Sequence, residues 1–226
     1  MNSEQTAELE LRSRVHSALG DPTRLRIVDL LATTDLSSAE LGATLGVPSN
    51  LLAHHLGVLQ DAGLLLRHRS EGDRRRTYLT LRTDALPRWP NPAVDTAARR
   101  LVFVCTANTA RSHLAAALWR AASSVAATSA GTHPGERIHP GARAAARRHH
   151  LDLPDAPPRA LHDSLDEGDI VITVCDRAHE EVGALAWAHW SIPDPVPTGT
   201  QAAFDSAHDT LHTRIADLSK RVAAVT

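Results

Sequence analysis

Leu101-Val102-Phe103-Val104-Cys105-Thr106-Ala107-Asn108-Thr109-Ala110-Arg111-Ser112 joins an apolar run to a cysteine and an arginine. The unbroken apolar run at its start marks a fully buried strand. A cysteine closes the run, an arginine follows six positions later, and a helical pattern extends from Arg111 to about Ala122. A cysteine and an arginine at this spacing, where a buried strand meets a helix, form a cradle for a tetrahedral oxyanion. The backbone N–H groups of Thr106, Ala107, Asn108, Thr109, Ala110 and Arg111 are expected to point inward as an anion nest. The helix that follows aims its positive end at the same place. Such donors favour a thiolate at Cys105, and the thiolate is the nucleophilic form. Arg111 offers a planar fork that matches phosphate or arsenate in a bidentate way. Ser112 is placed to donate to the thiolate, and Asn108 to brace the loop.

The C-x5-R-S pattern of residues 105–112 resembles the low-molecular-weight protein tyrosine phosphatases, a family that includes arsenate reductases evolved on the same fold. The likeness runs over residues 99–226. It takes in Ser129-Ala130-Gly131-Thr132, the strand-like Asp169 to Cys175, His189-Trp190-Ser191-Ile192-Pro193-Asp194-Pro195, and the tail from Gly199-Thr200 to Phe204. The resemblance implies a flavodoxin-like α/β domain with a four-stranded parallel sheet and a site at the carboxyl ends of its strands. It also implies that Asp194 is the general acid, because a thiolate that displaces an oxygen needs that oxygen protonated as it leaves. Asp176 is the next candidate for that role.

Composition sets the outer limits. The chain has 226 residues, formal net charge −2 and two cysteines. No apolar run reaches membrane-spanning length, and the polar, acidic start does not read as a signal peptide. Two cysteines without a secretory signal suggest a reducing cytoplasm and thiol chemistry, not a disulfide framework. Leu86-Pro87-Arg88-Trp89-Pro90-Asn91-Pro92 cannot be helical and reads as an extended connector. The expected organisation is therefore 1–85, a connector over 86–98, and 99–226.

The front half reads as helices followed by a hairpin. Asp21-Pro22-Thr23 opens a helix, with Asp21 as N-cap and Pro22 at the first helical position. Ser37 and Glu40 stand at capping-box spacing ahead of a short helix. Gly46-Val47-Pro48-Ser49 is a turn, and Asn50 to Ala62 the next helix, closed by Gly63. The segment Leu64 to His68, a turn at Ser70-Glu71-Gly72-Asp73, and Thr77 to Leu81 complete a winged helix-turn-helix. Ala18 to Arg26 and His54 to Leu64 resemble the signature runs of the ArsR family of bacterial repressors. That resemblance implies a homodimer that sets one helix per subunit, here Pro48 to Leu59, into a major groove of a double-stranded operator. Ser49, Asn50 and His54 are its expected contacts. Arg69, Arg74, Arg75 and Arg76 lie on the wing, where cations reach phosphate or the minor groove. Residues 1–85 hold ten Arg against eleven Asp or Glu, but five of the ten fall between Arg67 and Arg76.

The departures from both families are as informative. Asp35 to Glu40, where repressors of this type carry metal-sensing cysteines, has none. In the back half, thioredoxin-coupled arsenate reductases have a further cysteine where Ala110 stands. They follow the position of Cys175 with a second cysteine seven residues on, where Val182 stands, and they bind potassium with a glutamate where Ala116 stands. A three-thiol relay is excluded. Tyrosine phosphatases flank the acid with tyrosines, whereas Asp194 is followed by Pro195-Val196-Pro197, which favours a small oxyanion. His208 and His212 have same-face helical spacing but no third ligand in register, so no metal is expected.

These readings point to an arsenic-responsive transcriptional regulator fused to an arsenate reductase, an oxidoreductase without a bound cofactor. The expected reductant is an external small thiol, mycothiol or glutathione with a glutaredoxin-like helper, and Cys175 is a redox candidate. Two other readings stay open. One is a tyrosine or small-molecule phosphatase fused to the regulator. The other is a non-enzymatic repressor whose second domain senses an oxyanion or arsenite.

Overall fold

The computed structural model describes residues 3–86 and 96–224, which form two compact units. Most of the proline connector, residues 87–95, lies outside the described residues.

The first unit opens with α1 (Ser3–Leu19). Among its residues with described side chains, Val15, Ala18 and Leu19 near the C-terminal end are the buried ones, and the sequence shows no apolar stripe along the rest by which the helix could be announced. Next comes α2 (Pro22–Leu31), where Asp21 Oδ1 accepts from Arg24 N at 2.9 Å as the expected N-cap. A two-residue strand, β1 (Leu36–Ser37), leads into α3 (Ser38–Leu45). Both halves of the capping box form there: Glu40 N donates to Ser37 Oγ at 3.3 Å, and Ser37 N donates to Glu40 Oε2 at 2.7 Å. Gly46, at φ 64°, ends α3 in the left-handed region. Then follow α4 (Ser49–Asp61), β2 (Leu65–Arg69) and β3 (Thr77–Leu81).

The two long strands pair antiparallel from Leu65↔Leu81 to Arg69↔Thr77. They are the expected wing, but β1 adds a third strand along the free edge of β3 through Leu36↔Leu79. Two residues are too few to show alternation, so the sequence reads this sheet as a two-stranded ribbon. Ile27, Leu31, Leu41, Leu56, Leu59, Leu64 and Leu79 are buried together as the core.

The second unit begins with β4 (Thr96–Ala98), the last three residues of the span read as connector. This strand pairs in parallel with β9 (Val222–Ala224) at the other end of the chain. A three-residue strand whose partner lies more than a hundred positions away leaves no local signal. The main sheet is built from β5 (Arg100–Cys105), β6 (Ala126–Gly131), β7 (Asp169–Thr173) and β8 (Ala188–His189). The intervening helices are α5 (Arg111–Ala122), α6 (Pro140–Arg148) and α7 (Asp176–Val182), and α8 (Pro195–Thr198) and α9 (Gln201–Leu218) follow β8. Strand order is β6-β5-β7-β8, and every pairing is parallel, as expected.

This order explains both the apolar run and the site. Strand β5 is central, hydrogen bonded to β6 on one side and β7 on the other, and Leu101, Val102, Phe103 and Val104 are each fully buried. The chain leaves β5 for β6 on one side and then crosses to β7 on the other. The carboxyl end of β5 is therefore the switch point at which an open parallel sheet forms a crevice. Cys105 is the last residue of that strand.

Candidate active site

Residues 105–111 wrap from the end of β5 into the first turn of α5. Their conformation is fixed from outside. The carbonyls of Cys105, Thr106, Ala107 and Thr109 accept from the amides of Thr132, His133, Gly135 and His139, at 3.2, 2.8, 2.8 and 2.8 Å. With the carbonyls tied outward to the segment after β6, the opposite side of the loop is left to N–H groups, which is the arrangement a nest requires. Asn108 makes the turn at φ 50°, a left-handed value that Asn tolerates better than most residues. It is fully buried, and both ends of its amide are used. Nδ2 donates to Ser112 Oγ at 2.8 Å, and Oδ1 accepts from Arg159 N at 2.9 Å. Ser112 Oγ in turn lies 3.1 Å from Cys105 Sγ. The expected brace is thus a continuous chain from the loop, through Asn108 and Ser112, to the sulfur.

Thr106 departs from expectation. Its amide, read as an oxyanion donor, donates instead to Cys175 Sγ at 3.2 Å, and its Oγ1 lies 3.4 Å from the same sulfur. The cause is topological: β7 runs beside β5, so the residue that caps α7 falls next to the first residue of the loop. Cys175 is therefore part of the cradle wall. Burial is the largest influence on its thiol and pushes it up to about 11, with the neighbouring Cys105 adding to the effect. At neutral pH Cys175 is a protonated thiol.

Arg111 and Asp194 meet across the same crevice. Arg111 Nη2 lies 3.0 Å from Asp194 Oδ2, and Arg111 Nη1 donates to the carbonyl of Ile192 at 2.8 Å. Burial opposes the arginine's charge, but the sulfurs of Cys175 and Cys105, ionised at the high pH where an arginine would lose its proton, and the carboxylate of Asp194 outweigh it and raise its pKa above the ordinary value. Asp194 also caps α8, accepting from Val196 N at 3.1 Å, which fixes the carboxylate while leaving it partly exposed.

Asp176 is held differently. It is buried, and Oδ1 accepts from Ser191 Oγ and pairs with His189 Nε2 at 3.1 Å. His189 Nδ1 lies 3.0 Å from Thr173 Oγ1, and its ring stacks on that of His179 at 4.2 Å. Burial would raise the Asp176 carboxyl, but the bonds to His189 and Ser191 hold it below the usual carboxylate range. A carboxylate so engaged is suited to fixing the loop after β8. The sequence gives Asp176 only as a second choice of acid, and nothing in it links Asp176 to Ser191.

Two further residues that the sequence leaves unassigned shape the cradle. Gly131 ends β6 against the loop, where an added Cβ would stand 2.7 Å from Thr106 O and 2.9 Å from Asn108 Cβ. His113, one turn into α5, is buried with Nδ1 3.3 Å from Ser129 Oγ, and burial lowers its pKa to about 4. It is a neutral imidazole behind the loop.

In the first unit, Ser49, Asn50 and His54 are exposed on the first turns of α4, and Arg69, Arg74, Arg75 and Arg76 are exposed on the wing. His55, next to His54, is buried and faces the N-cap Asp21 with Nδ1 3.7 Å from Oδ1. Among the described residues, no helix is long and apolar enough to cross a membrane.

The fold and the cysteine–arginine loop define a phosphatase-type oxyanion domain, and comparison with known proteins agrees. Residues 100–225 match the model of the low molecular weight phosphotyrosine protein phosphatases, and the chain belongs to that family. Residues 19–68 match a helix-turn-helix domain model. The transcriptional repressor SdpR of Bacillus subtilis is 32% identical over 57 residues, a quarter of this chain and 63% of the repressor, so the chain spans less than two thirds of that relative's length. Among solved structures, an arsenate reductase from Archaeoglobus fulgidus is 26% identical, with a TM-score of 0.44 over 53% of this chain and 98% of its own. The YwlE arginine phosphatase of Geobacillus stearothermophilus is 24% identical, with a TM-score of 0.47 over 54% of this chain and 90% of its own. The chain thus carries a helix-turn-helix domain and a domain of the low molecular weight phosphotyrosine protein phosphatase family in one polypeptide.

Proposed function

We propose that this chain joins a DNA-binding transcriptional regulator to a thiol-dependent arsenate reductase. The observation that carries the enzymatic half is the convergence of Cys105, Ser112, Arg111 and Asp194 on one crevice, with 3.1 Å between Cys105 Sγ and Ser112 Oγ and 3.0 Å between Arg111 and Asp194. Arsenate occupies the cradle between Arg111 and the loop amides. Cys105 sulfur attacks arsenic, a sulfur–arsenic bond forms, an arsenic–oxygen bond breaks, and Asp194 gives its proton to the departing oxygen, which leaves as water. An external thiolate, from mycothiol or glutathione, then attacks Cys105 sulfur. The sulfur–arsenic bond breaks with its electron pair moving to arsenic, and arsenite leaves. The mixed disulfide left on Cys105 is resolved by a second thiol of a glutaredoxin-like helper, so two thiols supply the two electrons. The raised pKa of Cys175 supports the external route, since a protonated thiol is a poor attacker. Cys175 instead holds the Thr106 amide. Pro195-Val196-Pro197 after the acid, with no aromatic to grip a phenol, favours arsenate over a phosphotyrosyl protein.

The phosphatase reading shares the first step and ends in hydrolysis of a cysteinyl phosphate, and the family match favours it. One assay separates the two: purified protein with arsenate, candidate thiols and helper, scored for arsenite, beside para-nitrophenyl phosphate. Arsenite release that is lost in Cys105→Ser and retained in Cys175→Ala is the expected result. Phosphate ester cleavage without arsenite points to the phosphatase. Arsenite release lost in Cys175→Ala, with ester cleavage retained, makes Cys175 the resolving thiol.

For the regulator half, a homodimer presents α4 to a major groove, with Ser49, Asn50 and His54 as contacts and the wing arginines on the phosphates. Exposure of all seven residues on one motif supports that reading.

A further inference from the structure

A second cluster of ligating side chains lies where α6 and α9 meet, away from the cradle. Helices α5 and α6 both start near the oxyanion loop and run back along the sheet, and the cluster sits at their far ends. His149 caps the end of α6, and its ring stacks on that of His208 of α9, with centroids 3.6 Å apart and planes 14° from parallel. His212, one turn further along α9, stacks next at 6.0 Å. The third histidine that helical register alone does not supply comes from another helix.

Each of the two closest imidazoles is held by a carboxylate. His149 Nε2 lies 3.1 Å from Asp205 Oδ1, itself gripped by Arg148, and His208 Nδ1 lies 2.9 Å from Asp209 Oδ1. On His149 the carboxylate of Asp205 fixes the tautomer and leaves the other ring nitrogen with its lone pair, which is how metal-binding histidines are commonly oriented, while His208 Nδ1 and Asp209 Oδ1 stand close enough together to share one ion. Ligand atoms of His149, His208 and Asp209 all fall within 4.8 Å of one another. Bonds of about 2.0–2.2 Å to nitrogen and oxygen require the lone pairs to converge, so the partly exposed His149 ring must turn out of its stack on His208 when an ion binds. The imidazoles of His149, His208 and His212 also line a cavity of about 270 Å³ whose other walls include Leu118, Leu151 and Ile215. An apolar wall around nitrogen donors limits competition from water.

We infer that His149, His208 and Asp209 form a binding site for a borderline divalent transition ion of the zinc class. Two imidazoles and a carboxylate suit zinc; calcium and magnesium want oxygen ligands, and copper(I) wants sulfur. Lying far from the loop, the ion would act structurally, clamping the end of α6 onto α9.

The test is zinc binding by the full-length chain, measured by calorimetry and by native mass spectrometry, beside a Cys105→Ser/Cys175→Ser chain in which thiols cannot compete. The expected result is one zinc per chain in both proteins, with affinity falling at least about tenfold in His149→Ala and in Asp209→Asn. His208 is buried and its replacement can perturb folding, so those two more exposed positions carry the test, with circular dichroism confirming an intact fold. Absence of zinc binding overturns the inference. So does binding that vanishes with the thiols, or that is unchanged in both His149→Ala and Asp209→Asn.

Discussion

Replacing Gly131 with alanine probes how tightly the second strand's end holds the oxyanion loop. The new methyl would meet Thr106 O at 2.7 Å, Asn108 Cβ at 2.9 Å and Asn108 N at 3.0 Å. The shortest of these is about 0.7 Å inside ordinary contact, and two of the three opposing atoms are backbone, which cannot swing aside. Gly131 cannot retreat either, because its N donates to Arg159 O at 2.8 Å and its O accepts from Leu161 N at 2.9 Å. The loop must therefore move by several tenths of an ångström. Misplacement of about 1 Å costs on the order of a hundredfold in rate, so kcat/KM should fall about ten- to a hundredfold, or about 1.4–2.7 kcal/mol in the barrier. Overpacking should also lower stability by about 1–3 kcal/mol. The assay is steady-state turnover of the substrate the wild-type protein uses, with calorimetry of inorganic phosphate binding and thermal unfolding alongside. Gly57→Ala is the control: its Cβ would meet nothing within 4 Å, and a glycine-to-alanine change inside a helix should stabilise by about 0.5–1 kcal/mol. A Gly131→Ala protein with wild-type turnover and wild-type phosphate affinity would refute the idea that Gly131 sets the loop.

Asp194→Asn should slow turnover by about a hundredfold or more, with oxyanion binding retained; near wild-type turnover would move the acid to another group, Asp176 first. His113 gives a pH signature. Burial lowers its pKa from 6.5 to about 4, so between those values the unfolded chain binds the extra proton and the folded one does not. Stability should therefore fall as pH drops through that window, by on the order of 3 kcal/mol from this residue. His113→Gln should flatten the slope in urea unfolding series at pH 4 to 7, and an unchanged slope would assign it elsewhere. Replacing Arg74, Arg75 and Arg76 with alanine should weaken binding to all DNA sequences alike and lower the salt slope by about 1 per lost phosphate contact. Changing Asn50 or His54 should instead alter sequence preference. Equal salt slopes before and after the arginine replacements would remove the wing from the interface.

Features whose signals are local are legible in the amino-acid sequence. The apolar run into Cys105, the spacing to Arg111 and the start of α5 follow from hydrophobicity and helix propensity over a dozen residues. The caps at Asp21 and Ser37 are likewise short-range hydrogen bonds between side chains and backbone three residues on. Other features depend on strand order and helix docking, which no window of sequence contains. Placing β7 beside β5 brought Cys175 onto the Thr106 amide, which the sequence reads as an oxyanion donor. Pairing β4 with β9 took Thr96–Ala98 out of the connector. Packing α6 on α9 set His149 against His208, giving the histidine pair of α9 the third ligand that helical spacing withholds. Chain entropy makes each such long-range contact dependent on the whole unit folding, so the residues that meet this way carry no mark of it in their own neighbourhoods.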